Sequence, residues 1–356
     1  MTDADVASTA TGPPPGMRVR LSSNESPFGP SPFVVEAVRD VAARAHIYPD
    51  DQSRALREAL AEVDAVDVEQ VTVGTGSTAV LMDTIAHATH DGGDVVAFEA
   101  SFVVYRLAAS NAGAPYVEVP IDLVGAGNRR RWRRDVERLL DAVTDDTRAV
   151  VIDNPGNPTG SHLTGDELGA LVSGLPEHVT IIIDEAYHHF ASGLEGYETV
   201  AALGLEHPRL VVVRTFSKAH ALAGLRVGHA TGPPDLIRAV DARRGRFNVT
   251  ATAQAAALAS LHDEAHLQRA IQGTLAGRER MATGLGAIGV PFIEGLGNFV
   301  VVDARGPAGP AIDRCARHGI GVRSIAPYGL PEHVRVSVGT PDEVDAFLAA
   351  APEAFG

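Results

Sequence analysis

From about residue 33 onward, short runs of β-prone apolar residues recur along the chain with helix-length stretches between them. The runs are "VTVG" at 71–74, "VVAF" at 95–98, "AVVID" at 149–153, "TIIID" at 180–184 and "LVVVR" at 210–214. Their apolar positions are continuous rather than alternating, which fits strands covered on both faces. Regular exchange of such strands with helices predicts an α/β layer structure built on a mostly parallel sheet. After about residue 240 the pattern changes. "ATAQAAALASLHDEAHLQRAIQGTLAGRERMATGL" predicts one long helical region, followed by a strand in "NFVVVDA", a helix in "PAIDRCARHG", the short "GVRS" and a strand in "HVRVSVG". The expected division is an arm over 1–32, a large domain over 33–240 and a smaller α+β domain over 241–356. Within the arm, residues 1 to about 16 are small, polar and proline-rich, which predicts a mobile terminus, while "LSSNESPFGPSP" at 21–32 predicts an ordered but irregular segment. The last helix has its start written in the sequence: Thr340 as N-cap, Pro341 at the first position and Glu343 completing a capping box.

Composition narrows the classes of function. The 356 residues carry 30 Lys and Arg against 45 Asp and Glu, a formal net charge of -15, which works against binding nucleic acid or an anionic membrane surface. One basic cluster, "GNRRRWRRD" at 127–135, reads as a solvated loop leading into the helix "DVERLLDAV". No apolar run approaches the roughly 20 residues that span a bilayer, and the start lacks a charged segment followed by an apolar one, so the expected location is the cytoplasm. Cys315 is the only cysteine, which excludes an intrachain disulfide and a cysteine zinc cluster and predicts a packed helix position. No metal site is expected.

The candidate chemistry gathers at strand ends. Lys218 follows "LVVV" within "RTFSKAHALAGLRVG" (214–228), so its amine belongs at the rim of a crevice. Ser217 and Arg226 both suit phosphate oxygens, one as a hydroxyl donor and the other as a charged fork. A lysine between two phosphate binders is what the imine of pyridoxal 5'-phosphate requires. Asp184 closes the strand "TIIID" and suits the pyridine nitrogen, although an aspartate in that place also suits a helix cap. In "NPGNPTG" (154–160) the Asn157 amide, opposite Tyr187 of "DEAYHHF", is a donor for the phenolic oxygen. Gly76, Ser77 and Thr78 lie where "GTGSTAVLMDTI" turns from strand to helix, and exposed amides at a helix start bind anions. Phe102 just past "VVAF" is placed to stack on the ring, although an aromatic in that place also suits the core. Arg323 and Arg335 occupy strands, where a charge needs an anion or a partner acid, and Asn298 is a further candidate for holding substrate.

Together these stretches, with "SSNESPFGP", "IYPD", "FNVTATAQAAALASL" and "VRVSVGTPDE", resemble the fold-type I pyridoxal phosphate aminotransferases, and most closely their histidinol-phosphate aminotransferase branch. The resemblance runs in family order from about residue 20 to the C-terminus. It implies an aspartate aminotransferase-like fold with a large cofactor-binding domain and a smaller α+β C-terminal domain. Lys218 would then be the imine lysine and proton carrier, Asp184 the partner of the ring nitrogen, Asn157 and Tyr187 the donors to the phenolic oxygen, and Arg335 the main arginine for the substrate anion. Tyr48 matches a tyrosine that in the family crosses to the partner's cofactor phosphate, which implies a two-fold homodimer with shared sites. The implied reaction is ping-pong: glutamate loads the cofactor with its amine and a 2-oxo compound accepts it. The alternative within the same scaffold is an aromatic or specialised amino-acid aminotransferase, or another enzyme of this cofactor such as a decarboxylase or oxidase. This chain departs from the family pattern at several places. "STA" stands where an acidic pair is common, Phe102 where tyrosine is frequent, Gly156 where asparagine is usual, and Arg246 where proline is frequent. His188 and His189 stand where an apolar–acid pair is common, and they read as loop or interface residues.

Overall fold

The computed structural model describes residues 17–126, 130–293 and 295–356. The predicted mobile terminus, 1 to about 16, lies outside the described residues, as does part of the basic cluster.

Seven strands form the main sheet, in the order Val71–Gly74, Gly228–Thr231, Leu210–Thr215, Thr180–Asp184, Thr147–Asp153, Asp94–Phe98 and Tyr116–Val119. All neighbours run parallel except Gly228–Thr231, which is antiparallel to both of its partners. The pattern of continuous apolar residues has a direct cause. Ile181 and Ile183 enter the core under the helices Val136–Asp141 and Gly165–Gly174, while Ile182 enters the core under Gly76–Ala88, Val104–Asn111 and Pro234–Asp241. Side chains alternate faces, and both faces are dry, so every position of such a strand is apolar. Each fully buried Val or Ile contributes about 1.5–3 kcal/mol. Two strands carry no such signal: "YVEV" is half exposed and "GHAT" is built from small and polar residues. The strand directions bring Gly74, Asp153, Asp184, Thr215 and Gly228 to one edge of the sheet.

A second, antiparallel sheet of four strands runs Phe292–Ile293, Phe299–Asp303, His333–Ser337, Arg323–Ser324. It packs with the helices Glu264–Ala287, Ala308–Arg317 and Pro341–Phe355, and Cys315 lies buried in that core. The arm is tied here too. Val19–Arg20 pairs with Ile320–Gly321, and Leu21 is buried in the same core.

Two sequence expectations need correction. The long helical region is two helices, Ala251–Leu261 and Glu264–Ala287. Asp263 breaks it: one carboxylate oxygen accepts from the His266 amide at 3.1 Å, capping the second helix, and the other from the Ser31 hydroxyl at 2.5 Å. The first helix packs beside Pro32–Ala42 and Arg54–Asp64, against Val71, Val73 and Phe216. The basic cluster, in its described part, is not a solvated loop. Arg131–Arg133 is a strand paired with Asp122–Val124; its outer arginines are exposed while Trp132 is buried beside Tyr187 and Phe299, and Arg134 next to it is buried as well.

Candidate active site

Asp184 and Asp153 end neighbouring parallel strands and face each other in register. Asp184 is buried, and its two oxygens accept from the Tyr105 hydroxyl at 2.9 Å and the Ala186 amide at 3.0 Å. Both donors are neutral. Burial first, and the charge of Asp153 second, push its carboxyl up to about 7. A cation facing this carboxylate would hold it ionised, which a protonated pyridine nitrogen does. The Asp184–Ala186 bond closes a local turn, and the helical turn that follows, His188–Phe190, has Tyr187 at its N-cap, so Asp184 does not serve as a helix cap. Tyr105, whose hydroxyl is held far above its ordinary value by burial, was missed by sequence reasoning. Its only signal was its place in "SFVVY".

Across the same cavity, the Lys218 amine donates to the Asn24 carbonyl at 3.2 Å and sits 5.5 Å from the centre of the Tyr187 ring. Burial, with Arg335 and Arg226 adding to it, lowers the amine to about 8, so that about a tenth of it is neutral at pH 7. Asn24 is the second residue that sequence reasoning missed. Its Nδ2 donates to the Tyr187 hydroxyl at 2.9 Å, and its carbonyl also accepts from Asn298 Nδ2 at 3.0 Å. Burial pushes the Tyr187 phenol up to about 12, which keeps it a donor at neutral pH.

At the start of the helix Gly76–Ala88 two glycines are required by close approach. A Cβ on Gly76, whose φ is +75°, would collide with the Arg226 guanidinium, and one on Gly228 would collide with the Ser77 amide. The cradle so formed holds Ser77, Thr78, Ser217 and Arg226 around one end of the cavity. Arg226 donates to Ser217 Oγ at 3.4 Å and to the Ala223 carbonyl at 3.2 Å, and no carboxylate among the described residues pairs with it. Helix-start amides, a hydroxyl and a guanidinium without a partner acid make an anion site.

The cavity has a volume of about 290 Å³, and Phe102, Asn157, Asp184, Tyr187 and Lys218 line it together with the cradle residues. Phe102 is half-buried, with Tyr105 edge-on to its ring at 5.8 Å. The Asn157 carbonyl oxygen takes a bond from Arg335, which leaves its amide nitrogen as the donor end. Arg335 is buried, donates its second Nη to the Ser22 carbonyl at 2.9 Å, and leaves Nε without a partner. No carboxylate among the described residues pairs with it. Arg323 is its direct cross-strand neighbour and is exposed. Asn298 also keeps a buried carbonyl oxygen without a partner.

The donor set thus fits a phosphorylated pyridine aldehyde: an anion cradle, a buried carboxylate facing only neutral donors, a depressed amine and two donors on the same wall. Arg335 and Asn298 do not line the cavity themselves but bond to Asn157 and Asn24 beside it, Arg323 lies outside it, and Tyr48 is not brought to it either. Tyr48 is 80 % exposed and stacks on Phe247 with ring centres 4.8 Å apart. Arg246 pairs with Asp51 at 2.9 Å. His188 and His189 are half-buried in the short helical turn His188–Phe190; they pack on each other at 3.8 Å, and His189 meets the buried His220 edge-on at 5.2 Å. Among the described residues no group of three or more His, Cys, Asp or Glu is arranged to hold a metal ion, and no helix is long and apolar enough to cross a membrane.

A fold of this kind with a lysine, an aspartate and an anion cradle at the strand ends defines a class of amine-transferring enzymes, and the comparisons agree. The family model for aminotransferase class I and II matches residues 17–350, and the chain belongs to that family. It is 42 % identical over 333 residues to histidinol-phosphate aminotransferase 2 of Methylococcus capsulatus, covering 93 % of this chain and 89 % of that protein. It is 39 % identical over 326 residues to the histidinol-phosphate aminotransferase of Akkermansia muciniphila, covering 91 % and 86 %. The histidinol-phosphate aminotransferase of Sinorhizobium meliloti, solved in complex with pyridoxal-5'-phosphate, superposes with a TM-score of 0.85 at 28 % identity, covering 100 % of this chain and 97 % of that one.

Proposed function

We propose that the protein is a pyridoxal phosphate aminotransferase that passes the amine of histidinol phosphate to 2-oxoglutarate, giving glutamate and the oxo form of histidinol phosphate, or runs the reverse, working as a cytoplasmic homodimer. The observation that carries the substrate class is the arginine pair. Arg323 and Arg335 stand directly opposite each other on neighbouring strands, an arrangement that repels unless an anion is shared between them. The phosphate of histidinol phosphate and the carboxylates of glutamate and 2-oxoglutarate are anions of that kind, and the relatives named for this substrate cover nearly the whole chain.

When bound, the cofactor supplies an aldehyde for the substrate amine and a ring that withdraws electrons from the substrate Cα. The chain's own residues do the rest. Ser77, Thr78, Ser217, Arg226 and the amides that begin at Gly76 hold the phosphate. Asp184 would keep the ring nitrogen protonated, and Phe102 would cover the ring. Asn157 and Tyr187 would donate to the phenolic oxygen. Lys218, lowered to about 8, carries the proton to and from the substrate Cα. Arg335, with Arg323 and Asn298, orients the substrate by its anion. The exposed Tyr48 and Phe247, stacked on each other, form an apolar surface that suits a two-fold partner, to whose cofactor phosphate Tyr48 would reach. A monomer in sedimentation at micromolar concentration would contradict that assignment.

Replacing Arg335 with Met tests the substrate reading. The lost charge-assisted bonds raise KM for glutamate and for histidinol phosphate by about 10–100-fold, with a smaller change in kcat. An unchanged KM for both would remove Arg335 from the substrate site.

A further inference from the structure

Arg134 belongs to none of the stretches that carry the resemblance, yet its side chain is fully buried. Its Nη2 donates to Asp153 Oδ1 at 2.6 Å and its Nη1 to the Asp153 carbonyl at 2.5 Å. The other carboxylate oxygen of Asp153 accepts from the Asn157 amide at 2.9 Å and from the Phe102 amide at 3.2 Å. One carboxylate therefore ties together the two loops that present Asn157 and Phe102 to the cavity. The guanidinium is the only cation bonded to that carboxylate among the described residues.

A second observation concerns Gly156. Its φ is not positive, so glycine is not there for a left-handed turn. A Cβ at that position would instead overlap the Arg134 guanidinium. The volume a side chain at 156 would take is filled by a guanidinium arriving from residue 134.

We propose that Arg134 is a positioning residue matched to Gly156: entering where a side chain at 156 would lie, it holds Asp153 so that Phe102 and Asn157 keep their places against the cofactor ring. The proposal rests on the reading of Phe102 and Asn157 as cofactor contacts. It adds that their placement depends on a residue 19 positions before Asp153 in the chain, which does not line the cavity.

The test is a cycle of Arg134→Ser, Gly156→Asn and the two together. Affinity for pyridoxal phosphate and the visible circular dichroism of the bound cofactor are read in each, with thermal unfolding of the cofactor-free protein alongside. Each single change is expected to weaken cofactor binding at least tenfold and to reduce the dichroic band. The pair is expected to return to within about threefold of the unaltered protein, because the asparagine enters the vacated space and again gives Asp153 a donor. Unaltered affinity in Arg134→Ser, or losses that simply add in the pair, would overturn the proposal. Should Arg134→Ser not fold, Arg134→Lys keeps the charge but loses the fork. It is expected to lose affinity at least threefold while unfolding near the original temperature, and full affinity would overturn the matching. An unaltered protein that takes up no pyridoxal phosphate would instead bring down the cofactor reading itself.

Discussion

Asp184 holds a charge that the protein alone does not support. Burial sets its carboxyl near 7, against an ordinary value of 3.8, so the folded cofactor-free chain binds a proton there that the unfolded chain has already released. Above pH 3.8 the ionised unfolded form is therefore favoured, and stability falls until pH passes 7, by up to about 4 kcal/mol in all. Asp184→Asn removes that cost. At pH 8 the cofactor-free variant should unfold at a higher urea concentration than the original protein, while its kcat falls by about 10²–10⁴-fold because the ring nitrogen loses its partner. A variant no more stable than the original would mean that Asp184 already has a cationic partner in the folded chain. The positions of Asp184, Lys218 and Asn157 were legible because each follows a continuous apolar strand or a proline-rich turn. Tyr105 and Arg134 were not, since their partners Asp184 and Asp153 lie 79 and 19 residues away, and neither local pattern nor periodicity reports such a distance.

The elements that could be read from the sequence are those whose ends are set by neighbours in the chain. Thr340 accepts from the Glu343 amide at 3.3 Å, and Glu343 in turn takes the Thr340 amide at 2.8 Å. The helix they start, Pro341–Phe355, buries Val344, Phe347 and Phe355 in the core of the smaller sheet. Thr340→Ala should cost about 1 kcal/mol, read as a lower urea midpoint with unchanged slope. No change in midpoint would mean that packing alone sets this end. The break at Asp263 is of the other kind. Nothing in "SLHDEAH" outweighs its helical composition, and the carboxylate becomes a cap where a second helix, through Ser31, supplies a partner. The strand Gly228–Thr231 has a similar origin at its first residue, because Gly228 is required by the approach of the Ser77 amide rather than by any strand preference.

For the molecule as a whole, the two segments that carry Tyr187 and Lys218 meet through imidazoles. His188 packs on His189 and His189 on His220, whose Nδ1 lies 2.6 Å from the Ser260 hydroxyl. Burial lowers His188 and His220 to about 3, so they stay neutral in the fold and take up protons when unfolded. Below pH 6.5 the unfolded chain therefore binds more protons, and stability is lost as pH falls toward 3. Each of the two contributes a loss of about 2 kcal/mol by pH 5, and the gain of about 2 kcal/mol at Asp184 over the same range offsets about half of their sum. His220→Phe, which keeps a ring against Phe216, should unfold with a shallower dependence on pH between 5 and 7, and an unaltered dependence would exclude His220 from the effect. Transamination itself is tested most directly by the visible absorbance of the protein loaded with pyridoxal phosphate, before and after glutamate and then after the oxo form of histidinol phosphate. The expected result is a band that glutamate removes and the oxo compound restores. A band that neither compound moves would contradict transamination between this pair.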